Sequence, residues 1–251
     1  LVSFNGRTFD WPLLETRFAM NRQPVPRVDG CHLDLLLPAR RLWRLRLESC
    51  ALSSLEERVL GLQRSSDDVP GWAIPGLYRD YLVWGRAKPL RRVFYHNAHD
   101  VLSLVTLAAL LCASLREPLQ TLTHGEDLFS LGRRFEAEGD VDAAAELYQQ
   151  CLRCQLSAEM RLAVMRRLSR VHRRAGRSSE AVALWHSLAR RGDIEACLAL
   201  AKYYEHQRRD LARARSQALR ALRLLQQLRY PNPRQLTEIE HRLQRLERKS
   251  R

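Results

Sequence analysis

Two stretches of the chain carry side chains whose types and spacing can do chemistry. The first is Asn5-Gly6-Arg7-Thr8-Phe9-Asp10-Trp11-Pro12-Leu13-Leu14. The run Leu1-Val2-Ser3-Phe4 before it reads as a short strand, closed by the Asn5-Gly6 turn. Asp10, expected at the cap of the helix that follows, then shows a carboxylate at the carboxyl edge of a sheet, where ligands bind in open α/β folds. The second stretch is Phe94-Tyr95-His96-Asn97-Ala98-His99-Asp100-Val101. His96 and Asp100 are four apart and share one helix face. Two carboxylates from distant segments, with an imidazole one turn away, fit a site that hydrolyses phosphodiesters with divalent metal ions. Plainer roles stay open: Asp10 as a helix N-cap, Asn5 as the shaper of its turn, Asp100 in a salt bridge and His96 on the surface.

The elements that must position these residues lie in a punctuated first part. Asp10 and Pro12 open a helix with Leu13, Leu14 and Phe18 on one face, ended by Pro24 and Pro26. Cys31 to Leu36 reads as a second strand, whose alternation puts His32 and Asp34 on one side. Ser53-Ser54-Leu55-Glu56-Glu57 has the form of a capping box, and Gly61 stops that helix. Asp67-Asp68-Val69-Pro70-Gly71 is a loop, Ile74 to Val83 a helix, and Leu90 to Leu115 the longest helix of this part. Arg40, Arg41, Arg44 and Arg46, spread along a helix, could track phosphates or form a solvated face.

Beyond a seam near residues 116–126 the pattern becomes helical and repeats. Leu131-Gly132-x2-Phe135 is followed by Gly139, Ala144, Tyr148 and Cys151. The same order returns as Leu168-Ser169-x2-His172, Gly176, Ala181, Trp185 and Leu188. A third copy starts at Leu200-Ala201-x2-Tyr204 and reaches Ala214 and Ala218 with one extra residue in its turn. Small residues at fixed positions let paired helices approach, and a large one fills the gap. The tail from Gln235 to Arg251 is a basic helix with Leu236, Ile239, Leu243 and Leu246 on one face, suited to capping the repeats. Cys151-x2-Cys154 has no second ligand pair, so packing is favoured over zinc.

Composition sets outer bounds. The 251 residues hold 42 Lys+Arg against 28 Asp+Glu, a net charge of +14, and 45% hydrophobic residues. That share supports a core and excludes wholesale disorder. Residues 1–116 carry 16 bases and 11 acids; residues 117–251 carry 26 and 17. Six irregularly spaced cysteines do not make a disulfide scaffold. No uninterrupted apolar run reaches the roughly 18–20 residues that cross a bilayer, and no leader is recognised, so a cytoplasmic protein without a membrane partner is expected.

Asn5-x3-Phe9-Asp10 and His96-x3-Asp100 resemble the second and third motifs of the DEDD group of ribonuclease-H-like 3′–5′ exonucleases. The ordered set of segments is similar to the bacterial YprB-type family, a ribonuclease-H-like domain followed by tetratricopeptide repeats. That set adds His32-Leu33-Asp34-Leu35-Leu36, Pro38-Ala39-Arg40-Arg41-Leu42-Trp43, Asp67-Asp68-Val69-Pro70-Gly71 and Ala201-Lys202-Tyr203-Tyr204-Glu205-His206. The resemblance implies an α/β ribonuclease-H-like domain over residues 1–116 and an all-α tetratricopeptide-like solenoid over 117–251, predominantly helical overall. It implies hydrolysis of nucleic acid with two Mg²⁺ or Mn²⁺ ions. Asp10 and Asp100 would be metal ligands, and His96 would orient or deprotonate the attacking water. Asn5, Phe9, Arg40 and Arg41 would meet the substrate, with His32 and Asp34 in support. The solenoid could hold a protein or peptide.

The sequence departs from the pattern twice. The Asp-x-Glu pair of the family's first strand does not precede Asp10, so the domain is expected to lack its first strands and the chain, as an N-terminally truncated piece or as a shortened protein that lost catalysis and kept binding, to cleave weakly or not at all. The family also places a His five or a Tyr four residues before the last Asp, whereas here His96 stands at minus four and Tyr95 at minus five. At about 100° per helical residue, His96 faces with Asp100 and Tyr95 does not.

Overall fold

The computed structural model describes residues 1–28, 30, 32–65 and 68–250. Cys31, expected to open the second strand, Asp67, expected in the loop before Pro70, and Arg251 of the tail lie outside them. The chain divides into two compact units, Leu1–Thr123 and His124–Arg251.

In the first unit the α/β character reduces, among the described residues, to one parallel pair. Strand β1 (Val2–Ser3) lies beside β2 (Leu33–Asp34), with Val2 opposite Leu33 and Ser3 opposite Asp34. Between them runs α1 (Asp10–Met20). Its N-cap is Phe9, with no side-chain capping bond, so Asp10 is the first helical residue rather than the cap. A carboxylate there still complements the helix dipole. The helix ends at Met20, ahead of Pro24, and the chain leaves it through Arg22 in the left-handed region at φ 51°. No α1 residue is buried, so the expected apolar face of Leu13, Leu14 and Phe18 is not a core face.

The core begins with α2 (Leu36–Trp43), which buries Leu36, Ala39, Leu42 and Trp43 at helical spacing. A short helix, α3 (Leu52–Leu55), runs into a wide turn over Glu56–Leu60 that Gly61 ends at φ 66°. The expected capping box is absent. Ala51 is the N-cap, its amide bonded to Ser49 Oγ, and Glu56 is 2% exposed and turned elsewhere. After a tight turn over Gly71–Ala73 come α4 (Ile74–Trp84), closed by Gly85 at φ 66°, α5 (Leu90–Arg116) and α6 (Pro118–Thr121).

Helix α5 corrects one expectation. It has 27 residues and an 18-residue window of mean hydropathy 1.8, which by length and composition is enough to cross a membrane. Counting uninterrupted runs missed it, because the charge-free stretch from Val101 to Leu115 stops short of the usual length. The core helix of a water-soluble domain passes the same test. Here Ser103, Leu107, Leu111 and Ser114 are buried, while Val101, Leu102 and Val105 are exposed.

The second unit is a series of helices in which each packs on the next. They are α7 (Gly125–Glu138), α8 (Val141–Arg153), α9 (Ala158–Arg174), α10 (Ser178–Arg190), α11 (Ile194–Tyr203), α12 (Leu211–Gln226) and α13 (Pro233–Ser250). The small positions act as expected: a Cβ on Gly132 would sit 2.7 Å from the buried Tyr148 ring. Gly139 and Gly176 turn the first two pairs at φ 88° and 74°. The third pair has no glycine there. Residues Tyr204–Arg208 form a wide helical turn that absorbs the extra residue, and Arg209 takes the left-handed position at φ 51°. Ile239 and Leu246 of α13 are fully buried against this cluster.

That wide turn buries Glu205. Arg242 Nη1 donates to its Oε2 at 2.7 Å, Arg245 Nε and Nη2 to its two oxygens at 3.0 and 2.8 Å, and Lys249 Nζ to Oε1 at 2.9 Å. Burial alone raises the Glu205 carboxyl, but the Arg245 and Lys249 bonds outweigh it and bring the pKa down to about 2. A depressed carboxylate stabilises the fold above its unfolded pKa and stops doing so as pH falls through the folded one. Glu205→Gln is expected to cost about 3 kcal/mol at neutral pH by chemical denaturation. The gap to wild type should close between roughly pH 4 and pH 2; a gap that does not change with pH refutes a role for the ionised carboxylate.

Candidate functional site

The strand pair exists to hold a turn. Asp34, at the end of β2, is 7% exposed and accepts the backbone N–H of Asn5 at 2.8 Å, Arg7 at 3.1 Å and Leu36 at 3.1 Å. Burial by itself raises its carboxyl, but the three N–H groups, with His32 nearby, hold it below the ordinary range. Those bonds fix Asn5 in the left-handed region at φ 65°. Gly6 is required by close approach rather than by φ, since a Cβ there would lie 2.4 Å from Ser3 Cβ and 3.3 Å from Asp10 Oδ2. Trp11 N–H bonds Gly6 O at 2.8 Å, starting α1 directly off the turn. The Arg7 guanidinium bonds the His32 carbonyl. His32 in turn meets Ser3 Oγ at 2.7 Å and the edge of Trp11 at a centroid distance of 6.1 Å. Asn5 shapes the turn: its Oδ1 accepts from Thr8 Oγ1 at 2.8 Å.

The turn delivers Asp10 to a cleft of about 500 Å³ that Asp100 also lines. Ser3, Gly6, Trp11, His32 and Asn97 complete its polar wall. A second cleft of about 500 Å³ is lined by Asn5, Arg40, Arg44 and Glu48, and Phe4 and Leu52 line both clefts. Arg41 and Phe9 are both exposed, Phe9 at 67%, and neither lines a cleft of this pair.

His96 does not line the Asp10 cleft. It meets Asp100 as its spacing requires, Nε2 lying 3.4 Å from Oδ2, but its Nδ1 faces Asp68 Oδ1 at 2.8 Å and Arg64 Nη1 at 3.0 Å. Nδ1 donates to the first or accepts from the second, never both. Tyr95 lies off this face, with its ring 4.3 Å from His99. Sequence reading missed the centre of the group, Arg64. Its Nε and Nη2 each donate to Glu56 at 2.7 Å, Nη2 also bonds Asp100, and Nη1 bonds Asp68 at 3.1 Å. Ser103 Oγ donates to Glu56 at 2.5 Å. The bond to Glu56 is the chief cause that raises the Arg64 pKa, against the opposing effect of burial. Burial alone raises Asp68, but the His96 and Arg64 bonds leave it lowered.

In the second unit Cys151 is buried and its thiol donates to Gly125 O at 3.1 Å; burial pushes its pKa up to about 12. That is the packing role expected for it. Arg166, Arg170 and Arg173 of α9 line a small cleft with Trp185.

Residues 1–112 match the RNase_H superfamily. Over 219 residues the chain is 30% identical to Uncharacterized protein YprB of Bacillus subtilis (strain 168), a match that covers 85% of this chain and 52% of that protein. The chain therefore spans about half the length of the curated relative it matches. No solved structure matches it.

Asp34→Ala removes the acceptor of three backbone N–H groups and is expected to cost about 3 kcal/mol in urea unfolding. The sign follows its lowered pKa: the loss is full above the ordinary carboxylate range and fades as acid protonates the wild-type group. An effect below about 1 kcal/mol at neutral pH would mean that the turn holds itself.

Proposed function

We propose, from the match of residues 1–112 to the RNase_H superfamily, that the chain belongs to a nuclease-like protein hydrolysing nucleic-acid phosphodiesters, of the 3′–5′ exonuclease type. The observation that carries this reading is that Asp10 and Asp100, from opposite ends of the first unit, line one cleft. Those carboxylates repel a phosphodiester and cannot hold it. The neighbouring cleft supplies the opposite charge, with Arg40 and Arg44 exposed along one α2 face and its extension. A strand whose phosphates lie along these arginines brings its backbone to the acidic cleft across Phe4 and Leu52. Asn5 and the exposed Phe9 ring stand at the same turn, Phe9 offering a face for a base. His32 and Asp34 support the turn, and His96 orients Asp100. We place the activity in the cytoplasm.

The superfamily typically uses divalent metal ions, which would supply an activated water and stabilise the developing charge. Asp10 is the ligand we assign, with Asp100 a second only once it is released from Arg64. Two carboxylates, one already bonded to Arg64, are too few, and among the described residues no three His, Cys, Asp or Glu side chains could hold a metal ion. The described residues alone do not fit such a site. This favours a chain that binds strands better than it cuts them.

A second reading, a non-catalytic scaffold, is favoured by the α9 row of Arg166, Arg170 and Arg173 beside Trp185. It takes the second unit as tetratricopeptide-like helical repeats that hold nucleic acid, or a peptide, with α13 as the cap. Arg166 is paired with Asp193, which leaves Arg170 and Arg173 to meet the phosphates.

Arg40→Ala with Arg44→Ala is expected to weaken binding of labelled single strands. It should also flatten the log K against log salt plot by about 0.7 for each phosphate left without its arginine. An unchanged slope in that variant, with a flattened one in Arg170→Ala/Arg173→Ala, moves the binding surface to the second unit. Any Mg²⁺- or Mn²⁺-dependent shortening of 3′ ends should vanish in Asp10→Ala; persistence there removes Asp10 from the chemistry.

A further inference from the structure

The group around Arg64 is organised as a metal site is, but around a guanidinium. Glu56, Asp68 and Asp100 come from three separate segments and converge on one cation. Their side chains are 3%, 18% and 33% exposed, and Arg64 itself is 16% exposed. A guanidinium has five N–H donors in a rigid plane. Here one points from Nε to Glu56, two from Nη2 to Glu56 and Asp100, one from Nη1 to Asp68, and the last toward His96 Nδ1. Carboxylates take four of the five donors, and the fifth faces His96 Nδ1, which also faces Asp68. Three carboxylates against one guanidinium leave these four side chains at −2, so the group is short of positive charge and cannot lose the charge it has. The planar cation also keeps the carboxylates apart around its rim, in keeping with the lack of any described group that could hold a metal ion.

We infer that Arg64 is the resident cation of this site, and that a divalent ion and the Arg64 guanidinium exclude each other at Asp100. The inference rests on the nuclease reading only in taking Asp100 as a residue of the working cleft. Asp100 belongs to both groups: it is a lining residue of the cleft with Asp10, while its Oδ1 is bonded to Arg64 and its Oδ2 lies beside His96. A metal ion at Asp100 therefore has to displace a guanidinium that Glu56 holds through a bidentate bond on its far side. Glu56 is itself fixed by Ser103. The device is a counter-charge that keeps the acidic cleft closed to metal until Arg64 moves, and Glu56 sets how firmly it is closed.

Mn²⁺ titration followed by the electron paramagnetic resonance signal of free Mn²⁺ tests this without any activity assay. Wild type and Asp100→Asn should give superimposable isotherms, because Asp100 is not available to metal. Arg64→Ala, which leaves three carboxylates and an imidazole without a cation, should gain a site at least tenfold tighter, and its melting temperature should rise with added Mn²⁺. Arg64→Lys keeps a cation and should not gain the site. A wild-type Mn²⁺ site that Asp100→Asn weakens tenfold overturns the inference, as does a folded Arg64→Ala that binds Mn²⁺ no better than wild type. Should Arg64→Ala fail to fold by circular dichroism, the wild-type and Asp100→Asn pair still decides. Failure of the nuclease reading shows in strand shortening and strand binding and leaves these isotherms unmoved, so the two outcomes are separable.

Discussion

A carboxylate taken out of water must be met by positive charge or by N–H groups, and the positioning of elements within both units turns on that requirement. Asp34 meets it with three backbone amides and in doing so fixes the Asn5–Arg7 turn. Glu56 meets it with Arg64 and Ser103, and so ties the segment after α3 to α5. In the second unit Glu136 accepts from Tyr148 and Arg167, each at 2.8 Å, which joins α7 to α8 and α9. Asp193 caps α11 and pairs with Arg166, and Glu205 holds α13. In each case the acid and its partners come from different elements. Leaving either side unmatched would cost several kcal/mol per ion, more than one apolar contact can offset.

This recasts the unusual composition. Of the 42 basic residues, 39 are arginine, and a basic surface for nucleic acid is the first idea that number suggests. Part of the arginine is instead internal counter-charge. Arg64 on Glu56 and Arg245 on Glu205 use two nitrogens on two oxygens, a geometry that the single ammonium of lysine cannot supply. The arginines available to a polyanion are those whose guanidinium is exposed, such as Arg40 and Arg44 beside the Asp10 cleft or Arg170 and Arg173 on α9.

What was legible in the sequence follows from how local its cause is. Gly61, Gly139 and Gly176 all sit at positive φ at helix ends, and a glycine that ends a periodic run announces itself. The same turn made by Arg209 after a wide helical turn is silent, because arginine has no preference that marks it; only the extra residue in the third copy hinted at it. His96 and Asp100 met because both lie on one helix. Asp10 and Asp100 reached one cleft, although the reading of Asp10 as a cap was one residue out. Glu56 was misread because Ser-x-x-Glu has a local meaning, whereas its actual partners are eight residues ahead, in a loop, and 47 ahead, on α5. Arg64 had no signal at all: a single arginine in a loop carries no period, and its bonds to Glu56, Asp68 and Asp100 exist only once three segments have folded together.

Exposure then separates two kinds of electrostatics in the first unit. At physiological ionic strength the screening length is about 8 Å, so exposed guanidiniums act on a polyanion over short range and weaken as salt rises. The Arg64 group has its carboxylates in hydrogen-bond contact and mostly out of water, where added salt does little. The basic cleft is therefore adjustable by solution conditions, as is the exposed Asp10, while the Asp100 side of the acidic cleft is set by the fold. Because Asp100 belongs to both the acidic cleft and the Arg64 group, the charge that the cleft shows to a substrate depends on a bond made behind it. In the proposed function, a strand drawn in along Arg40 and Arg44 would meet a carboxylate at Asp10 that stands off the Arg64 group, and at Asp100 one that this guanidinium partly neutralises. On the proposed nuclease reading, that asymmetry, rather than the total charge of the chain, would orient a phosphodiester between the two.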